Sequence, residues 1–307
     1  MFERIFKLSE HKTTVKTEVM AGITTFMTMA YILAVNPSVL GSTGMDTTAV
    51  LLATALASCL GTLCMAFMAN LPFALSAGMG LNAFMAYTVV AGYGYSWQVA
   101  LLAVFIEGLI FIVLSLTNVR EAIFNAIPLT LKKGVSVGIG LFIAFIGLQN
   151  SGLCVDSATL VGIISFPENF HTAGICALLT LIGLFFTAVF YTRKMKGAIL
   201  YGILLTWILG MLCQVTGLYV PTPDAGFYSL FPSWGMTDFS KLGLTFGQCF
   251  NVDFSAVGIV NFIVVIFSFL FVDIFDTLGT LIGVATKAKM LDKDGKLPGI
   301  KPALLAD

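Results

Sequence analysis

The stretch Leu71-Pro72-Phe73-Ala74-Leu75-Ser76-Ala77-Gly78-Met79-Gly80-Leu81-Asn82 decides how this chain is built. A proline and two glycines precede a short apolar run that begins at about Leu81. This pattern predicts an extended stretch that leads into a helix of half the usual length. Inside a bilayer, such irregular backbone is tolerated only where protein or a water-filled cavity covers it. The stretch therefore predicts a broken helix in the interior of a membrane protein.

The composition of the whole chain agrees with a membrane protein. Of its 307 residues, 58% are hydrophobic and 10% are charged, whereas a soluble domain carries about 25% charged residues. A surface this apolar has to face the lipid bilayer, which excludes a soluble fold. The formal net charge is zero, so nothing indicates a nucleic-acid partner. The six cysteines lack metal-ligand spacing, and we predict neither a metal site nor a cofactor.

Eight segments are candidates for membrane spans, which need about 20 mostly apolar residues each. They cover residues 19–40, 48–69, 73–91, 98–117, 133–150, 171–191, 197–217 and 256–279. The predicted fold class is an all-α integral membrane protein with about eight spans and a broken helix at the third. Residues 119–131 predict an interfacial helix on the inner side, and the long outer loop 218–255 predicts a re-entrant or interfacial piece.

The basic residues predict the orientation of the chain, because lysine and arginine concentrate in cytoplasmic segments. With the N-terminus in the cytoplasm, all but one of the 16 basic residues fall in inner segments, and the exception is Lys241. The first apolar run is long enough to span the membrane, so it is not a cleavable signal peptide. We expect a multi-pass protein of the cell membrane with a cytoplasmic N-terminus.

Three ionisable side chains lie inside predicted spans, where a charge is costly and a functional role is expected. They are Glu107 in the fourth span and Asp273 and Asp276 in the eighth. A spacing of three residues places both aspartates on one helix face. Such a carboxyl pair can exchange a proton or accept hydrogen bonds from an N–H-rich ligand. Two alternatives remain open: one of the two aspartates, Asp276 more than Asp273, caps a helix break at residues 277–279, and Glu107 pairs with a polar group in the bundle.

The second candidate site is the start of the half-length helix, from Gly78 to Asn82. A helix N-terminus offers free N–H groups and the positive end of its dipole. Glycines such as Gly80 let a ligand approach the backbone, and Asn82 supplies both a donor and an acceptor. The alternative is a helix-packing motif. Together, a broken helix and a carboxylate pair in another span are typical of the midplane site of a secondary transporter.

Three long motifs resemble those of the adenine/guanine/hypoxanthine permeases, a branch of the nucleobase–cation symporter-2 (xanthine/uracil permease) superfamily. They are TEVMAGITTFMTMAYILAVNP at residues 17–37, AGMGLNAF at residues 77–84 and DIFDTLGT at residues 273–280. The resemblance covers the whole chain. It implies a fold of two inverted seven-span repeats, with core and gate domains and a purine bound between them.

The resemblance also implies roles for individual residues. Asn82 and Gly80 correspond to the third-span binding site, and Asp273 is the expected direct purine ligand. Asp276 corresponds to the second carboxylate of the eighth span. Independently of the resemblance, Asp276 and Glu107 are predicted to support coupling. The implied activity is uptake of hypoxanthine, guanine or adenine by proton symport, with the proton as coupling ion and a homodimer as a possible assembly.

The length differs from that of the family, whose members have fourteen spans. This sequence ends at Asp307, and residues 302–306 are where a ninth span would begin. We therefore expect a single, incomplete transporter domain: the first repeat in residues 1–217, an outer loop in 218–255, and the first helix of the second repeat with an inner loop in 256–307. The second broken helix and its substrate-binding glutamate would then be missing.

Two other functions compete with that of a purine transporter. A membrane-embedded enzyme needs a nucleophile with its base, or metal ligands, but His11 and His171 lie at the ends of spans without a suitable neighbour. The protein is therefore not expected to be an enzyme. An anion transporter of the same architecture is disfavoured because carboxylates repel anions, whereas a neutral purine can donate N–H groups to them.

The orientation can be tested by cysteine labelling from outside the cell. A cysteine introduced near Asp224 should react with an impermeant reagent, and one near Lys194 should not, because the basic loops are cytoplasmic. The opposite labelling pattern would overturn the predicted orientation.

Overall fold

A computed structural model describes most of the chain. The described residues are 2–10, 13–117, 119–158, 160–195, 197–223, 226–232, 235, 237–254, 257–292 and 297–307. Sequence features outside these ranges include His11, Lys12, Lys196, Asp224, Trp234, Lys293 and Lys296. The chain forms two compact units, one of Met1–Gly140 with Thr237–Asp307 and one of Leu141–Met236.

The described residues are mostly helical. The helices are α1 Phe2–Phe6, α2 Val15–Met29, α3 Ile32–Gly41, α4 Thr47–Cys64, α5 Met79–Ala83, α6 Trp97–Leu116, α7 Val119–Ala126, α8 Leu129–Asn150, α9 Ile175–Thr192, α10 Ala198–Val215, α11 Ile259–Lys287 and α12 Ile300–Ala306. Wider π-helical turns add Met65–Ala69, Phe84–Gly92 and Phe170–Gly174. Short 3₁₀ turns at Phe239–Leu244 and Gln248–Phe250 lie in the predicted outer loop, residues 218–255.

The predicted spans fall on helices. Within the described residues, seven helices are long and apolar enough to cross a membrane: Val15–Gly41, Thr47–Ala69, Trp97–Leu116, Lys133–Asn150, Phe170–Thr192, Ala198–Val215 and Ile259–Lys287. Met79–Gly92 is a shorter apolar helix and corresponds to the third predicted span. A helical, multi-pass membrane protein is thereby confirmed. Its arrangement as two inverted repeats remains a prediction.

The first span is interrupted between α2 and α3. The amides of Leu33 and Ala34 donate to carbonyls three residues earlier, at Ala30 and Tyr31, which tightens the turn between the two helices. Asn36 follows within α3, directly before Pro37, and is buried. The first span therefore brings a polar side chain into the interior of the unit.

The third span is broken as the sequence predicts. Asn70 ends the preceding helix in the left-handed conformation (φ 52°), and residues 71–78 contain no helix. α5 begins at Met79, one residue before Gly80, and continues as π-helical turns to Gly92. We refer to Met79–Gly92 as the half-helix.

Side chains of α4 hold the extended stretch before the half-helix. Thr62 Oγ1 accepts a hydrogen bond from the Leu75 amide at 3.0 Å and lies 3.2 Å from the Leu75 carbonyl oxygen, to which it donates. The hydroxyls of Ser58 and Ser76 are also hydrogen-bonded, at 2.8 Å. Because lipid offers no hydrogen bonds, polar backbone at this depth needs protein partners. Thr62 supplies both for Leu75.

The eighth span corrects one alternative from the sequence. α11 runs without interruption from Ile259 to Lys287, so no helix break exists at residues 277–279 for Asp276 to cap. The Thr280 hydroxyl donates to the Asp276 carbonyl oxygen at 2.8 Å, one helical turn back. The TLGT sequence is thus compatible with a helix because the Thr280 hydroxyl bonds to the preceding turn and tertiary packing outweighs the low helix propensity of glycine.

The core of the first unit joins α11, α6 and the half-helix. Phe269, which is almost fully buried, packs edge-to-face on Phe84 with 5.0 Å between ring centroids. The same cluster contains Val99, Ala100, Ala103, Met85, Val89, Val265 and Ile266. This apolar contact fixes α11 along the half-helix.

An ion pair lies within the first unit. Asp46 caps α4 by accepting from the Ala49 amide at 2.9 Å, and its Oδ2 lies 3.3 Å from Lys241 Nζ. The Ala49 amide, with a smaller contribution from Lys241, lowers the pKa of the Asp46 carboxyl. The single basic residue of the predicted outer segments therefore has an acidic partner, which also lies in a predicted outer loop.

The second unit is a helix pair with a small hairpin. Gly183 on α9 faces Thr206 on α10, and Gly202 on α10 faces Thr187 on α9, so small residues allow close approach of the two helices. The antiparallel strands β1 Cys154–Ser157 and β2 Leu160–Ile163 pair Cys154 with Ile163 and Ser157 with Leu160. The sequence analysis did not predict this hairpin.

The anchoring of the extended stretch can be tested with Thr62→Val. This variant keeps the side-chain shape but leaves the amide and carbonyl of Leu75 without their side-chain partner. We expect the free energy of unfolding in detergent to fall by about 1–3 kcal/mol. Thr62→Ser, which keeps the hydroxyl, is the matched control. Equal stability of the two variants would show that these bonds do not hold the stretch.

Candidate functional site

The carboxyl of Asp276 lies at the start of the half-helix. A Cβ atom added at Gly78 would lie 2.7 Å from Asp276 Oδ2. Gly78 is the residue before the first helical residue, Met79. The first amides of a helix have no partner within the helix and carry the positive end of its dipole. Glycine at position 78 thus lets an acidic side chain of α11 approach a site that favours negative charge.

Asp273 lies on the same face of α11 as this contact. Phe269, Asp273 and Asp276 are spaced by four and three residues, which aligns them along one side of a helix. At one end of this row Phe269 contacts Phe84, and at the other Asp276 adjoins Gly78. α11 and the half-helix therefore run antiparallel here, and Asp273 is placed about 4.5 Å along the axis from Asp276.

Asn82 is turned towards the first span. Its Nδ2 donates to Asn36 Oδ1 at 2.5 Å. Asn36 Nδ2 donates in turn to Thr54 Oγ1 at 2.7 Å, and Thr54 donates to the Val50 carbonyl oxygen at 2.7 Å. The sequence analysis missed Asn36 and Thr54. Both are polar residues in apolar spans, a signal that could have marked them.

Gly80 and Glu107 take different positions in the first unit. Gly80 is a half-buried residue in the first turn of the half-helix. Glu107 is only 5% exposed and belongs to the buried side of α6. Ala103, one turn earlier on that side, packs in the cluster that contains Phe269. The structure thus brings Gly78 and Asp276 into contact and directs Asn82 to Asn36, and Glu107 lies in the interior on a third helix.

A separate cavity of about 530 Å³ lies beside the extended stretch. Its walls come from α2, α4 and residues 71–76, and its polar groups include Thr25, Ser58 and Thr62. Asn82, Asp273 and Asp276 do not line it. This cavity is therefore distinct from the contact of α11 with the half-helix.

Comparison with known proteins assigns the family. The permease family matches residues 16–307 of the sequence. The chain belongs to the permease family. The guanine/hypoxanthine permeases PbuG and PbuO of Bacillus subtilis are 44% and 42% identical to it, and the adenine permease AdeP of Escherichia coli is 40% identical. The resemblance seen in the three sequence motifs is thereby confirmed.

These alignments cover nearly all of this chain but only part of each relative. They include 98%, 99% and 100% of this chain for PbuG, PbuO and AdeP, but only 66%, 66% and 64% of the relatives. The chain thus spans about two thirds of the length of these relatives. Both the half-helix and α11 lie within the residues that match the permease family.

The contact at the start of the half-helix predicts a specific steric effect. In Gly78→Ala the added methyl group displaces the Asp276 carboxyl, and overpacking of this kind costs about 1–3 kcal/mol. The midpoint of thermal unfolding in detergent should fall accordingly. Gly138→Ala is the matched control, because a Cβ at Gly138 meets nothing within 4 Å.

A double variant separates this contact from a general effect of alanine. In an Asp276→Ala background the carboxyl is gone, so Gly78→Ala should cost much less stability than in the parent. An equal loss in both backgrounds would contradict the proximity of Gly78 and Asp276.

Proposed function

We propose that this permease imports purine nucleobases across the cell membrane, with a proton as the coupling ion. The observation that carries the proposal is the contact between Gly78 at the start of the half-helix and Asp276 on α11. It combines N–H groups and carboxyls in one place, which suits a ligand with both acceptors and donors. Similar relatives are named for guanine, hypoxanthine and adenine transport, which supports a purine as the ligand.

The chemistry of a neutral purine matches these groups. Its ring N–H groups can donate hydrogen bonds to the Asp273 carboxylate. An ionised carboxylate accepts such hydrogen bonds strongly. Its ring nitrogens or carbonyl oxygen can accept from amides in the first turn of the half-helix, near Gly80. Asn82 contributes a further polar group from the next turn. The site is thus proposed to surround the rim of a flat heterocycle with alternating donors and acceptors.

Proton coupling is assigned to the acidic residues. Asp276 adjoins the half-helix and belongs to an unbroken α11, so the remaining role proposed for it is in coupling or in positioning the half-helix. Glu107 is proposed to support the same process from the buried side of α6. Because Asp273 and Asp276 share one helix face, protonation of one changes the charge felt by the other.

The proposal also includes the orientation of the chain, its assembly and the length of the active protein. The N-terminus is proposed to be cytoplasmic, on the basis of the distribution of basic residues. The assembly is proposed to be a homodimer. Because the relatives are longer than this chain, the transport activity is proposed for the protein as its whole gene encodes it.

Replacing Asp273 tests the binding role. Asp273→Asn keeps the size of the side chain but exchanges an acceptor-only carboxylate for an amide. Loss of one charge-assisted hydrogen bond costs about 1.5–3 kcal/mol, so hypoxanthine affinity should fall roughly ten- to a hundredfold. Asp276→Asn should change the rate and pH response more than the affinity. Asp156→Asn, an exposed change in the β1 strand, is the matched control.

The measurement is binding and uptake of labelled hypoxanthine at several pH values, after confirming that each variant reaches the membrane. Sulfate and bicarbonate uptake by the parent provides the comparison for anion transport. Undiminished hypoxanthine affinity in Asp273→Asn would refute its role as ligand. Uptake of the anions without hypoxanthine would refute the proposed substrate.

A further inference from the structure

We propose that Asn36 and Thr54 are positioning residues that fix the Asn82 side-chain amide, so that its oxygen accepts a hydrogen bond from a ring N–H of the nucleobase. The inference rests on the proposed function, because it specifies how that site distinguishes its ligand. It is carried by a chain of hydrogen bonds that connects three helices, α3, α4 and α5.

The direction of this chain is set at its far end. The Thr54 hydroxyl donates its only proton to the Val50 carbonyl oxygen, 2.7 Å away. Thr54 Oγ1 can then only accept, so the group that faces it must be the Nδ2 of Asn36. The Oδ1 of Asn36 is left to face Asn82, which must present its Nδ2. The donor in each hydrogen bond is thus determined by the hydrogen bond before it, beginning with the Thr54 hydroxyl.

Burial of Asn36 and Thr54 fixes the direction of these hydrogen bonds. Asn36 is 4% exposed and Thr54 is 5% exposed, so water does not compete for their polar atoms. If the Asn82 amide turned over, its oxygen would meet the oxygen of Asn36, and two acceptors would face each other without a proton. A buried polar group without its partner is strongly disfavoured. The Asn82 amide therefore has one preferred orientation.

Packing keeps Asn36 close to the half-helix. Ile32 and Val39 of α3 form a buried cluster with Met79 and Ala86 of the half-helix. Asn36 lies between the two α3 residues in sequence, and Asn82 lies between the two half-helix residues. The bond between the two amides is thus enclosed by apolar contacts, which prevent either side chain from withdrawing.

The orientation of the Asn82 amide determines which group of the ligand it can bind. With Nδ2 directed to Asn36, the Asn82 oxygen is the acceptor left for the site. Together with Asp273, the site then offers two side-chain acceptors for two N–H groups. Hypoxanthine carries two ring N–H groups, at N1 and on the imidazole ring. Two analogues, 1-methylhypoxanthine and 9-methylhypoxanthine, each replace one of these N–H groups by N–CH3 and so test the two acceptors separately.

The experiment measures binding of hypoxanthine and both analogues to the protein encoded by the whole gene. In the parent, each analogue should bind about tenfold more weakly than hypoxanthine. Asn82→Ala identifies the analogue that reports on Asn82, because discrimination against it should disappear. Thr54→Val and Asn36→Leu should reduce the same discrimination to below about threefold and leave the discrimination against the other analogue unchanged.

Two conservative variants provide the matched controls. Thr54→Ser keeps the hydroxyl and should keep the parental pattern. Asn36→Asp loses the donor to Thr54 but offers Asn82 only acceptor atoms, so Asn82 must still present Nδ2 and discrimination should persist. These controls keep the proposal testable even if Thr54→Val or Asn36→Leu does not fold.

The outcomes separate this inference from the proposed function. A parent that binds none of the three compounds contradicts both. A parent that binds and discriminates, with the same pattern in Thr54→Val and Asn36→Leu, contradicts only the positioning role. An equal loss of affinity for all three compounds in these variants also contradicts it, because that result indicates a structural role. Loss of discrimination in Thr54→Ser or Asn36→Asp contradicts it as well.

Discussion

Hydrogen bonding to the broken third span is the constraint on which the rest of this permease depends. A continuous helix satisfies its own amides and carbonyls in lipid, but an extended stretch does not. Residues 71–78 therefore need polar partners from neighbouring helices. Thr62 of α4 supplies them to the amide and carbonyl of Leu75, and Ser58 of α4 bonds to the Ser76 hydroxyl. Only with the stretch held in this way can the half-helix begin at Met79, in the interior of the first unit.

The start of the half-helix in turn explains the role of α11, which places a carboxyl beside it. A helix N-terminus in an apolar interior favours a nearby negative group, and the absence of a side chain at Gly78 leaves space for Asp276. The Phe84–Phe269 contact aligns the two helices at the other end of the row. Apolar packing thereby sets the position of α11 along the half-helix. The carboxyls of Asp273 and Asp276 are the groups proposed for ligand binding and proton coupling. The hydrogen bond from Asn82 to Asn36 orients the Asn82 amide on the half-helix.

Much of this arrangement could be predicted from the sequence. Long apolar runs determined the helices, and Pro72 with two glycines located the break, because these residues act locally on the backbone. The spacing of Asp273 and Asp276 placed them on one face for the same reason. The hydrogen bonds of Asn36 could not be predicted, since its partners Asn82 and Thr54 lie 46 and 18 residues away along the chain and only packing brings them together. The break suggested at residues 277–279 was wrong because tertiary packing keeps α11 helical.

The central claim is that the nucleobase binds where the half-helix meets α11. A structure of the protein from its whole gene with hypoxanthine bound tests it most directly. The account predicts the ring within hydrogen-bond distance of Asp273 and of the first turn of the half-helix, with the Asn82 oxygen facing a ring N–H. A ring located instead in the cavity between α2 and α4, away from both aspartates, would contradict it.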